Sequence, residues 1–263
     1  MPITFKRAGQ EAVTLENVSF KGVALDKVTF KRAGDEAVTV FEKATMPVKG
    51  DIITLDSKQY RVLKTEGTVA EVLCMYDANS SIKFDSASSG YNNTYAGKNI
   101  DTYCNNTFYS GLSSAMKSAI VDKTFTQDSW KWDSSAPTPS HYTGEYSSNI
   151  YYLTFVNAAF GDSITRHCYC LSVQNVLDYL GVTTAMGTSD TTLTDTNVWK
   201  MFWDQTTSPG STYPWLRSAN ASNSERAFRV SGDNGDLSSI KVVSAVAVRP
   251  AFQIDLSKIA WSK

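Results

Sequence analysis

The strongest constraint in this sequence is the rhythm of its apolar residues. From about Met46 they alternate with polar ones over short runs, and Asp51-Ile52-Ile53-Thr54-Leu55, Gln59-Tyr60-Arg61-Val62-Leu63 and Val69-Ala70-Glu71-Val72-Leu73-Cys74-Met75 read as three successive strands of an antiparallel meander. The helical spacing i, i+3, i+4 occurs twice: at Leu112, Ala115, Met116, Ala119 and Ile120, and at Val173, Val176, Leu177 and Leu180. Gly181 is placed to end the second helix, because glycine accepts the left-handed conformation of a C-terminal cap. A short aromatic helix is expected after Asp195, with Val198, Trp199, Phe202 and Trp203 going to the core or to a pocket wall. Strand patterning returns at Ala227–Val230, Ile240–Val243 and Ala247–Leu256, while Ser129–Ser148, with Pro137, Pro139 and Gly144, reads as an irregular loop. Two main helices among many short strands predict an α+β fold.

Ahead of this region the sequence repeats itself. Ile3-Thr4-Phe5-Lys6-Arg7-Ala8-Gly9 recurs as Val28-Thr29-Phe30-Lys31-Arg32-Ala33-Gly34, each copy followed by Glu-Ala-Val-Thr one residue later. The unit predicts a short strand, a glycine turn and a second short strand. So few residues enclose little core, and units of this kind gain stability by stacking on neighbours. Residues 1–45 are therefore expected to form an attachment or oligomerisation segment, or else an N-terminal sheet folded back on the main ligand-binding domain, which spans 46–263.

The last fifty residues have a different organisation. Trp215-Leu216-Arg217-Ser218 opens, and Val248-Arg249-Pro250-Ala251-Phe252 closes, a stretch crowded with Ser, Asn, Asp and Gly. Within it Phe228 and Val230 are expected to face inward and Arg229 and Ser231 outward, as on a strand with one buried face. Arg217 and Arg249, each beside an apolar strand, are expected to hold structure by pairing with carboxylates or backbone carbonyls.

In their order, Tyr60-Arg61-Val62-Leu63, Cys170-Leu171-Ser172, Trp215-Leu216-Arg217-Ser218, the turn Gly232-Asp233-Asn234-Gly235 and Val248-Arg249-Pro250-Ala251-Phe252 resemble the C-type lectin fold of bacteria and phages, including the variable proteins of diversity-generating retroelements. The resemblance spans about Met46 to Ile259 and implies a C-type lectin-like domain whose final hairpin region carries the ligand. It further implies variation seeded at adenines of AAC-type codons. Ser222, Ser224, Arg226, Arg229, Ser231, Asp233, Asp236, Ser238, Ser239, Val243 and Ser244 are reachable by such changes; Glu225 and Lys241 are not. Tyr213 and Trp199 would add flat aromatic area to the ligand-binding set, since aromatic rings and arginine dominate binding hot spots. The implied protein is a non-enzymatic phage or prophage receptor-binding or tail-associated component. It would be made in the bacterial cytoplasm, become virion-associated or surface-displayed, bind a host cell-surface protein or glycan, and attach to a virion or tail through its N-terminal repeats. A bacterial polysaccharide-binding or structural lectin-like protein of fixed sequence is the alternative.

Charge and chemistry narrow the remaining classes. The 25 basic and 26 acidic residues nearly cancel, so nucleic acid is not an expected partner, and no apolar run is long enough to predict membrane insertion. A homo-oligomer remains compatible with the repeats. The chain holds two histidines, His141 and His167, and no Gly-x-Ser-x-Gly elbow or phosphate loop, so catalysis is not expected. Cys74, Cys104, Cys168 and Cys170 are expected as buried free thiols, with His167 facing away from its neighbouring cysteines. No cofactor or metal is implied, and the sequence lacks the Glu-Pro-Asn and Trp-Asn-Asp signatures of calcium-dependent sugar binding.

Overall fold

The computed structural model describes residues 46–132, 153–182, 195–233, 235 and 237–263, together with six strands within 1–45. The chain divides into two compact units, Met1–Met46 and Pro47–Lys263. In the first, β1 (Ile3–Phe5) pairs with β2 (Val13–Leu15), β3 (Ser19–Phe20) with β4 (Val23–Ala24), and β5 (Lys27–Phe30) with β6 (Val38–Glu42), all antiparallel. The sequence repeat is visible in the register: Phe5 opposite Val13 recurs as Phe30 opposite Val38, and Thr4 opposite Thr14 as Thr29 opposite Thr39. A bulge then distinguishes the second copy, placing Val28 opposite Phe41.

The second unit begins with the expected meander, β7 (Ile52–Leu55), β8 (Lys58–Glu66) and β9 (Val69–Cys74), and continues into β10 (Asn79–Lys83). Next come α1 (Asn99–Thr102), a π-helical segment at Tyr103–Phe108, α2 (Ser114–Ala119), β11 (Ile120–Val121) and β12 (Lys123–Trp132). After these the chain forms β13 (Leu153–Arg166), β14 (Cys168–Tyr169), α3 (Val173–Leu180) and α4 (Asp195–Trp203). It finishes with β15 (Trp215–Asn220), β16 (Arg226–Val230), β17 (Leu237–Lys241), β18 (Ala245–Val248) and β19 (Ala251–Asp255). One sheet has the order β11-β19-β9-β8-β7, with β14 also on β19; a second has the order β13-β12-β15-β16-β17; and β10 pairs with β18. The domain is mixed α+β, rich in strands and poor in helices, with antiparallel pairing except where β12 and β15 run parallel at Ser129–Ala219 and Trp130–Asn220.

Local chemistry explains the helix ends. In α3, Ser172 Oγ accepts from Asn175 N and Asn175 Oδ1 accepts from Ser172 N, each at 3.1 Å, which closes a capping box. Gly181 ends the helix at φ 75°, and Val182 N returns to Leu177 O at 3.0 Å. The inward stripe of α3 joins Val198, Met201 and Phe202 of α4, together with Trp130, Leu216 and Phe228, in one buried cluster. Full burial stabilises each large apolar side chain of this kind by about 1.5–3 kcal/mol.

Four expectations need correction. The first helical stripe yields only α2, because Ser113 caps it at Met116 N and Ile120 adopts extended geometry to pair with Ile254; Leu112 lies outside the helix and Ala115 is exposed. The supposed loop from Ser129 begins as strand, since β12 runs to Trp132; positions 133–148 lie outside the described residues. The strand expected at Ile240–Val243 is displaced to β17, and Val242 is buried in the turn that follows. Ala247–Leu256 is not one strand: proline has no N–H to give a ladder, and at Arg249-Pro250 the chain passes from β18 into β19, which belongs to a different sheet.

Candidate functional site

The tryptophan motif forms a buried footing. Every residue of β15 is buried; Trp215 Nε1 donates to Ile82 O at 2.9 Å, and Arg217 Nη1 donates to Cys170 O at 2.7 Å and Asn175 Oδ1 at 2.8 Å. The Arg217 guanidinium also lies 4.3 Å from the Phe125 ring centroid. Ser218 Oγ donates to Asp128 and accepts from Val173 N at 2.7 Å, which ties β15 to the start of α3. At the other bookend Arg249 Nε donates to Asp77 Oδ1 at 2.6 Å, Nη1 donates to Phe202 O, and the guanidinium lies over the Trp203 ring. Both arginines are structural, as their apolar neighbours suggest.

Between these anchors the chain turns outward. Ala221 to Glu225 are exposed, and the turn is held through its backbone. Asn220 Oδ1 accepts from Ser222 N at 2.9 Å and Asn223 N at 3.1 Å. Asn93, only 1% exposed, directs its Nδ2 at the carbonyls of Asn220 (2.9 Å), Asn223 (3.2 Å) and Arg226 (2.7 Å). Gln127 fixes Asn93 in turn, donating to Asn93 O at 2.7 Å and Arg217 O at 2.6 Å while accepting from Tyr95 N at 2.7 Å. Asn93 and Gln127 carry no local motif that marks them; only the three-dimensional pairing reveals the clamp.

The residues expected to face a ligand divide into three groups. Ser222 and Ser224 are exposed, and Ser238, Val243 and Ser244 are half-exposed. Arg226, Ser239, Arg229, Tyr213 and Asp233 are accessible but engaged: Arg226 Nη1 donates to Ser239 O at 2.8 Å, and Ser239 Oγ accepts from Asn220 Nδ2 at 2.9 Å. The Arg229 guanidinium lies 4.1 Å from the Tyr213 ring centroid, and Tyr213 Oη donates to Asp233 Oδ2 at 3.0 Å. Burial pushes the Asp233 carboxyl up, yet the hydrogen bonds from Ser231 and Tyr213 outweigh it and hold its pKa below the ordinary value. Burial draws the Arg229 guanidinium downward, and its Nε is buried without a hydrogen-bond partner among the described residues.

Two residues must be withdrawn from the exposed set. Ser231 is only 4% exposed: β16 ends at Val230, and Gly232 then packs against the Gly210–Thr212 backbone, enclosing Ser231 as its hydroxyl donates to Asp233. The outward alternation therefore stops at Arg229. Trp199 is 7% exposed and is buried, as are Val198, Met201 and Phe202 of its helix. Asp236 lies outside the described residues. His167 is engaged by Asp122 through Nδ1 and stacks on Tyr109 at 4.2 Å, while Cys168 and Cys170 are buried.

A family model matches residues 71–256, from β9 to the end of β19. The chain belongs to the DUF6273 family, described as a domain of unknown function. No curated protein and no solved structure matches the chain. The DUF6273 region contains Asn93, Gln127, both arginine anchors and the whole segment between the bookends, so clamp and exposed turn fall within the one matched span. No helix among the described residues is long and apolar enough to cross a membrane.

Proposed function

We propose that residues 47–263 are a non-enzymatic ligand-binding domain with a C-type lectin-like framework, of the kind found in variable proteins of diversity-generating retroelements. Its recognition face runs from Asn220 to Ser244, and its ligand is a host cell-surface protein or glycan. The N-terminal hairpins attach the chain to a virion or tail, consistent with a receptor-binding or tail-associated role for a phage or prophage protein.

One observation carries this reading. Asn93 grips the exposed turn by three backbone carbonyls, so its hold is independent of the side chains at Ser222, Ser224 and Glu225. A loop fastened in this manner tolerates exchange of its outward groups while losing little entropy when a ligand docks. Ser222, Ser224, Ser238, Val243 and Ser244 form the exchangeable set. Arg226, Arg229, Tyr213 and Asp233 contribute a partly fixed polar and aromatic margin.

Replacing Ser222, Ser224 and Glu225 together with tyrosine is expected to leave the melting temperature within about 2 °C of the parent. The same variant should lose or change adsorption of the labelled full chain to a panel of bacterial cells. A clear fall in melting temperature would assign these side chains to the framework and overturn the reading. A second reading, a polysaccharide-binding or structural protein of fixed sequence, draws support from Glu225 and Lys241, both exposed on the face and both unreachable from an AAC codon. A near-duplicate of the encoding segment beside a reverse transcriptase gene in flanking DNA favours the first reading; its absence favours the second.

A further inference from the structure

A cleft elsewhere in the domain shares no residue with the 220–244 face. It has a volume of about 350 Å³ and is lined by the half-buried Tyr76, Tyr103 and Phe108 and by the exposed Asp56 and Lys58; Tyr60 also lines it but is only 1% exposed. Thr107 and Ser113 add exposed hydroxyls, and Met116, which also lines the cleft, is fully buried.

The fold sets up this arrangement from two directions. The hairpin between β7 and β8 turns through Asp56 and Ser57, both with left-handed φ of 46° and 63°. This is the sense that matches strand twist in a two-residue turn, although glycine and asparagine are its usual occupants. It brings Asp56 and Lys58 to one end of the cleft. The π-helical segment supplies Tyr103 and Phe108, which stand at its two ends. π-helical turns are frequently found at functional sites.

The polar inventory defines the ligand. Tyr60 Oη and Tyr76 Oη are 3.3 Å apart, so one donates to the other, and Tyr76 is also engaged by the Cys74 side chain, which leaves the pair lone pairs with which to accept. Tyr103 Oη donates to Ala78 O at 2.7 Å and retains acceptor capacity. Burial, the leading cause in each case, raises the pKa of all three phenols, so they remain neutral hydrogen-bonding groups through the physiological range. The Lys58 ammonium lies 5.4 Å from the Tyr76 ring centroid, and its charge is matched on the rim by Asp56. The cleft thus offers aromatic faces, phenolic and alcoholic hydroxyls and no net charge. Its volume lies at the small end of the usual ligand-site range of roughly 300–1,000 Å³.

We propose that this cleft binds a neutral pyranose unit of a polysaccharide, with the sugar's C–H face against the Tyr76, Tyr103 and Phe108 rings and its hydroxyls bonded to Tyr76 Oη, Thr107 and Asp56. The site needs no metal and does not depend on the recognition role assigned to the 220–244 face.

The test is a protein-observed NMR titration of the full chain with methyl glycosides of glucose, galactose, mannose and N-acetylglucosamine. At least one glycoside is expected to shift the amide resonances of Tyr76, Thr107 and Gly111 along a saturable curve. Tyr76→Phe keeps the ring and removes the hydroxyl, and should weaken that glycoside's affinity about tenfold, the loss corresponding to about 1.4 kcal/mol. The exposed change Thr107→Ala removes one of these partner hydroxyls and should weaken the same titration. The proposal is overturned if none of the four glycosides moves the cleft resonances, if the shifts are confined to residues 220–244, or if both variants titrate as the parent does. Because the parent's shift map already locates binding, a variant that fails to fold does not remove the decision.

Discussion

At Gly232 one absent methyl group shapes the end of the candidate face. A Cβ placed there would lie 2.4 Å from Thr212 O and 2.8 Å from Gly210 O, and both obstacles are backbone. Gly232→Ala is therefore expected to destabilise the domain by about 1–3 kcal/mol, measurable as a lower urea midpoint with little change in slope. An unchanged midpoint would show that the Gly210–Thr212 segment yields at no cost. Individual residues differ greatly in how far the sequence exposes their roles. Arg217 and Arg249 are legible because a guanidinium beside an apolar strand needs partners close at hand. Asn93 is not, because its three acceptors lie 127 to 133 positions further along the chain. Ser231 illustrates the opposite error: alternation alone turns it outward, but alternation does not extend past the last paired residue of the strand.

Among the elements, α3 is the one whose ends are written most clearly in the sequence. Removing its N-cap by Ser172→Ala leaves Asn175 N without the serine acceptor, while Asn175 Oδ1 remains engaged by Arg217. The expected loss is about 0.5–2 kcal/mol, seen as a lower melting temperature with the remaining fold intact. No loss would mean that the bonds to Asn175 Oδ1, from the backbone N–H of residue 172 and from Arg217, suffice to hold that end. The meander β7–β8–β9 is likewise legible, since its alternation is regular. The β12–β13 hairpin is not, and the cause is physical: its register shifts between Phe125 and Gln127, between Gln127 and Ser129, and between Ser129 and Trp130. Each shift breaks the two-residue period on which strand recognition depends. The tyrosine cleft was hidden for a related reason, because its walls come from a hairpin and a helical segment whose shared purpose appears only when they meet.

For the molecule as a whole, the near-balance of charge conceals a set of carboxylates placed to titrate late. Side-chain hydrogen bonding from Lys263 lowers the pKa of Asp51. For Asp85 burial acts upward, but the hydrogen bond from Lys98 and those from Ala87 N and Asn92 N prevail. Asp233 is lowered in the same sense, and hydrogen bonds led by Ser257 bring Asp255 from 3.8 to about 2. A carboxyl whose folded pKa is depressed contributes stability above its unfolded pKa and loses it as pH falls through the folded one. The melting temperature should accordingly fall across roughly pH 4 to 2 through these four groups, and calorimetry over that interval checks the sign; a midpoint that holds to pH 2 would contradict it. The sheet order imposes one more condition on the living chain. β19 stands between β11 and β9 although it follows both in sequence, so a ribosome that has delivered β9 must still synthesise everything through Asp255 before that strand gains its second neighbour. Throughout that interval the nascent polypeptide carries a bare strand edge, open to pairing with other chains until β19 arrives to cover it.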